Sequence, residues 1–245
     1  MTLQKIGGLA ALTCAATYLF GLVFLFTVLA PLGFGTGDTD ASAVVAFIDA
    51  QPGLLIVWNT VIYILNAFAL AVLVITLDAR LKSNTPDWAA ITRALGLIWA
   101  TLVLGAGMMA NVTVEHAAKL FPINRAKAAD DWALLQVVEL GLGGGNEIAG
   151  GVWILLVCIA GVMGRSLGNI SVCLGLLTGA GGLATLVPAI GDVAGAVFGL
   201  GAIAWFISVG LSLTFVRRSH EKPMIASPAD VQTGCRSSTP PTACG

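Results

Sequence analysis

The feature that most restricts this chain is a series of long stretches with almost no charge. No Asp, Glu, Lys or Arg falls between Lys5 and Asp38, and none from Gly53 to Leu77. Further apolar segments run from Ala94 to Val114, Ile148 to Gly164, Ser166 to Gly191 and Val193 to Val216. A helix needs about 20 apolar residues to cross a hydrocarbon core about 30 Å thick. Backbone groups in lipid have no water to bond, so runs this long are expected to be helices that satisfy their own amides. The six segments reach or approach that length. The chain is therefore read as an all-α bundle of six membrane-spanning helices over residues 1–218, followed by a disordered tail over 219–245.

Composition supports this. The chain is 57% hydrophobic and 10% charged, against about 25% charged in soluble domains, and so few charges could not cover a water-soluble surface of this size. The formal net charge of -1 offers no basic field for nucleic acid. Many glycines suit the close helix approach common in membranes.

Helix punctuation fits the same layout. Gln51-Pro52-Gly53 opens the second segment. Thr85-Pro86-Asp87 reads as an N-cap, a proline at the first helical position and an acid in the first turn. Pro188 to Asp192 reads as a tight turn between helices five and six. Val44, Val45, Phe47 and Ile48 are spaced for a short amphipathic helix on the membrane surface, and the stretch Asn111 to Trp132 reads as the largest outer loop. The first apolar run is too long for a signal-peptide core and is read as a retained helix. Lys5, Arg80, Lys82, Arg93, Arg165, Arg217, Arg218 and Lys222 fall on one side of this layout, with Lys119, Arg125 and Lys127 on the other. The richer side is expected to be cytoplasmic, with both termini there.

Polar groups inside such a bundle carry the functional expectation. Counting about 20 residues back from Gly164 puts Glu147 near the outer interface and Glu139 above it in water. Packed against other helices instead, Glu147 could relay protons or hold a cation. The glycines from Gly141 to Gly145 weaken the helix there and predict a break, with Asn146 as N-cap and Glu147 in the first turn. Asn59, Tyr63 and Asn66 fall on one helix face and are expected to look into the bundle, either as interhelical bonds or as a polar path. Glu147, Asn146, Asn59, Asn66 and Tyr63 form the candidate substrate or ion path. Gly175 and Gly179, and Gly191, Gly195 and Gly199, are two small-residue stripes expected to pack helices five and six, the alternative being a homodimer face.

Other chemistry has little support. Cys14, Cys158 and Cys173 lie in apolar runs and Cys235 and Cys244 in the tail. There is no CxxC, and no metal site or cofactor is expected. Gly164 to Gly168 matches G-x-S-x-G but falls in a turn between helices rather than after a strand. His116 and His220 lie outside the apolar runs, which disfavours membrane haem.

The opening Lys5-Ile-Gly-Gly-Leu-Ala, the acidic segment ending Ala50-Gln-Pro-Gly53, and the close of the second span in Leu77-Asp-Ala-Arg80-Leu-Lys82 resemble a family of bacterial inner-membrane proteins, a domain-of-unknown-function family. The resemblance covers residues 3–218. It implies six helices and a bacterial cytoplasmic membrane, and no catalytic residues. The expected role is a binding or accessory membrane component, with a small permease or ion-coupled transporter as the alternative and an enzyme least favoured. The expected partners are the lipid bilayer and either another membrane protein or a second copy.

Overall fold

The computed structural model describes residues 2–34, 39–144 and 147–215, and these are helical with short connections. The helices are α1 (Leu3–Phe24), α2 (Ala41–Ala50), α3 (Pro52–Asn59), α4 (Asn66–Leu81), α5 (Pro86–Leu120), α6 (Arg125–Glu139), α7 (Ile148–Met163), α8 (Asn169–Ala184) and α9 (Gly191–Phe215). Three π-helical turns interrupt or extend them, at Leu25–Leu29, Thr60–Leu65 and Leu140–Gly144. Five helical stretches are long and apolar enough to cross a membrane: Leu3–Leu32, Pro52–Leu81, Pro86–Leu120, Arg125–Met163 and Pro188–Phe215. The fifth predicted span is shorter than expected. Its helix α8 has 16 residues, or about 24 Å at 1.5 Å per residue.

Six helices close on themselves. α1 packs on α4 and α9, α8 lies between α7 and α9, and α5 joins α7 to α4. Aromatic rings fill the space they enclose. Trp153 packs on Trp99 and Trp205 with ring centroids 5.5 Å apart in each case, and Trp205 continues to Phe206 and Tyr18. Large apolar side chains also point outward, among them Phe26, Phe68, Val112, Leu177 and Val193. Such a surface suits lipid and not water.

Small residues set the spacing where α7 meets α8. A Cβ added to Gly151 would lie 3.0 Å from Gly182 Cα, and one added to Gly182 would lie 2.8 Å from the Glu147 carbonyl. Gly179 belongs to this contact, facing Leu155, and Gly175 faces Cys158 of α7 as well as Trp205 of α9, so this stripe packs the fifth predicted helix mainly on the fourth rather than on the sixth. The second predicted stripe does not pack the bundle. Gly195 and Gly199 have nothing within 4 Å, and Gly191 meets only the Thr185 carbonyl at 3.9 Å. In α9 the close approaches fall at Gly201, against Thr178, and at Gly210, against Leu12 and the Gly8 carbonyl. The four-residue spacing was real, but it marks the outer face of α9.

A second, smaller core sits at the end of α5 away from Arg93. Val44, Val45 and Ile48 of α2 are buried there with Val114, Ala117 and Phe121 of α5 and Ala128, Ala129 and Trp132 of α6. Two expectations change. The amphipathic helix α2 exists, capped by Asp40, whose Oδ1 accepts from Ser42 N at 2.9 Å, but its apolar face covers protein. The expected outer loop is mostly helix: α5 continues to Leu120, and after a short turn α6 starts at Arg125. With 35 residues, α5 is about 52 Å long and overshoots a hydrocarbon core by about 20 Å.

At the opposite end, the α7–α8 turn is tied to α4. Arg80 Nε donates to the Ser166 carbonyl at 2.8 Å, and Asn84 Nδ2 to the Gly164 carbonyl at 2.7 Å. The G-x-S-x-G residues are thus a helix–turn–helix connection, with Arg165 at φ 47°.

Candidate functional site

Three helices meet beside the second core, and each presents side chains at helical spacing. α6 supplies Trp132, Gln136 and Glu139, four and three residues apart and therefore on one face. α3 supplies Trp58 and Asn59, and α5 supplies Thr113 with small and aliphatic neighbours. Phe34 closes the group, and together they line a cavity of about 30 Å³. That is room for about one water molecule.

Local sequence explains why these groups converge. α6 starts at Asn124, whose Oδ1 accepts from Lys127 N at 3.0 Å. Asp131 fastens α6 to α5 through His116 Nε2 at 3.0 Å and takes Lys127 Nζ at 3.1 Å. The rings then brace one another, Phe34 lying edge-on to Trp58 at 6.2 Å and to Trp132 at 6.0 Å. Asn59 is 4% exposed, so its amide is held inside the protein.

Glu139 is half-buried and lies within electrostatic range of Tyr63. It does not stand above the bundle in water, as depth counting placed it, because α6 folds back against α5. Tyr63 lies on the π-helical turn Thr60–Leu65, with its ring laid over Gly107. A Cβ added there would come 3.3 Å from Tyr63 Cγ. Asn111 Nδ2 donates to Thr60 Oγ1 at 3.1 Å and holds the same turn to α5.

The π-helical turns Thr60–Leu65 and Leu140–Gly144 both contact α5, the first also touching α1 and the second α6. Such turns insert a residue and re-aim side chains, and they recur at functional sites. Gly143, at φ 131°, breaks the helix just past Glu139, within the glycine run where a break was expected. Gly145 and Asn146 lie outside the described residues. So do the tail and its Cys235, Cys244 and His220.

The predicted path residues are only partly brought together. Asn59 lines the cavity, and Tyr63 lies within range of Glu139, which also lines it. Asn66 does not share their site. The π-helical insertion turns the helix by about 100°, so a seven-residue spacing no longer returns to one face. Asn66 lies where α4 meets α1, its carbonyl facing the Cys14 thiol at 3.9 Å, and its Oδ1 is buried without a partner among the described residues. Glu147 is the N-cap residue of α7 rather than a first-turn residue. It is half-buried, within range of Tyr18 and Tyr63, and does not line the cavity.

Trp58, Thr113, Trp132 and Gln136 were not singled out from sequence. The signal was the spacing Trp132, Gln136, Glu139, which is visible only once residues 125–139 are taken as helix. No family model, curated protein or solved structure matches the chain.

Proposed function

We propose that this chain is a six-span protein of a bacterial cytoplasmic membrane, with both termini on the cytoplasmic side, that binds a small ligand in the cavity beside Glu139. It would act as a binding or accessory component of that membrane. Three things support the topology. α8 stands in the closed arrangement between two long helices, an even number of spans returns the chain to its starting side, and Arg80, Arg93 and Arg165 gather at one end.

The observation that carries the binding reading is the Glu139 carboxylate, half-buried beside a cavity with the Asn59 and Gln136 amides. Ionisable groups at membrane depth are costly and are kept for a use. The test is a thermal-unfolding screen of the purified chain in mild detergent against ammonium, methylammonium, formate and methanol, all small enough for a cavity of this size. At least one compound is expected to raise the midpoint saturably, and Ala110→Leu, which fills the cavity, removes the rise. If none of the four shifts the midpoint, the binding reading fails.

The helix break at Gly143 favours a second reading, a small permease in which Glu139 or Glu147 couples movement to an ion. In proteoliposomes, uptake of the compound found by the screen should then depend on Glu147 as well as Glu139. Uptake that survives Glu147→Gln unchanged excludes Glu147 from that role.

A further inference from the structure

Resting on the binding reading, we infer that the cavity takes a small ammonium cation, ammonium itself or methylammonium. Glu139 supplies a negative charge, and among the described residues lining the cavity none is Lys, Arg or His. A carboxylate partly withdrawn from water is costly as a charge when nothing compensates it, and a bound cation would offset that cost.

The remaining walls select the kind of cation. Asn59, Gln136 and Thr113 can each offer an oxygen, and Thr113 Oγ1 already gives its proton to the Met109 carbonyl at 2.9 Å, so its lone pairs face acceptor duty. With Glu139 this makes four oxygen-bearing side chains, fewer than the six to eight oxygens that calcium prefers. They suit an ammonium head, whose three or four N–H donors each need one acceptor. The other walls are the aromatic side chains of Trp58, Trp132 and Phe34 and the aliphatic ones of Leu55, Ala110 and Val114. Aromatic faces attract cations, Trp most strongly, and desolvated pairs are the stronger ones. A cavity of about 30 Å³ fits a head the size of water and leaves no room for a quaternary ammonium.

The experiment measures thermal unfolding of the full chain in detergent at fixed ionic strength, titrating ammonium, methylammonium, potassium or tetramethylammonium chloride. Ammonium and methylammonium should raise the midpoint saturably, by on the order of 3 °C. Potassium and tetramethylammonium should not. Glu139→Gln keeps the volume and should weaken methylammonium binding about 30-fold or more, while Trp132→Phe weakens it less. No response to either ammonium salt, an equal response to potassium, or a response unchanged in Glu139→Gln overturns the inference. If formate or methanol stabilises the chain and the ammonium salts do not, the ligand class falls while the binding site stands. Silence from every compound removes both.

Discussion

At the scale of single residues, two amides seven positions apart illustrate how differently buried polar groups can be used. Asn59 faces a cavity with a carboxylate, and Asn66 faces the α1 contact with an amide oxygen that has no partner among the described residues. An unsatisfied buried acceptor costs about 1–3 kcal/mol, so Asn66→Leu, close in volume, should leave the unfolding midpoint unchanged or raise it. A clear fall would mean that Asn66 makes a bond that matters to the fold. Tyr63 makes the opposite case. Tyr63→Phe removes a hydroxyl that lies within range of Glu139 and Glu147. It should lower stability by about 1 kcal/mol, and a midpoint equal to that of the parent chain would mean that the hydroxyl makes no bond that matters to the fold. Neither fate was legible in the sequence. Both asparagines sit in one apolar run at helical spacing, and only the π-helical turn between them separates their faces.

The same turn shows what can be read at the scale of elements. Helix existence was legible, because charge-free runs leave the backbone no other partner in lipid, and the start of α5 was marked by Pro86. The break after Glu139 was legible too, from its glycines. What is not legible is α6: the sequence reads as outer loop as far as Trp132 and places Glu139 in water, so the α6 side of the cavity wall stays hidden. Glycine stripes were half legible. Spacing identifies a small-residue face but not what it faces. Gly182→Ala would put a methyl against the Glu147 carbonyl and Gly151, forcing α7 and α8 apart at a cost of about 1–3 kcal/mol. Gly195→Ala meets open space and gains about 1 kcal/mol of helix propensity. Denaturation of the two variants side by side should move their midpoints in opposite directions. A common direction would mean that the α7–α8 spacing is not set by these glycines.

For the whole molecule the decisive question is which end faces which compartment, since the cavity lies near the end with the second core. Lys and Arg near helix ends bias orientation toward the cytoplasm, and Arg80, Arg93 and Arg165 lie together at the end opposite the cavity. The aromatic centre of the six-helix ring holds no charged side chain among the described residues, so it adds no such bias of its own. The cavity would then be filled from outside the cell, and its ligand drawn from that side. Ile123, in the turn between α5 and α6, is 81% exposed and Ser83, after α4, is also exposed. In a chain whose five cysteines are replaced by serine or alanine, Ile123→Cys should react with a membrane-impermeant thiol reagent in intact cells. Ser83→Cys should react only after the membrane is opened. The reverse pattern would turn the molecule over and put the Glu139 cavity on the cytoplasmic side, and labelling of both in intact cells would mean that the chain between them does not cross the membrane.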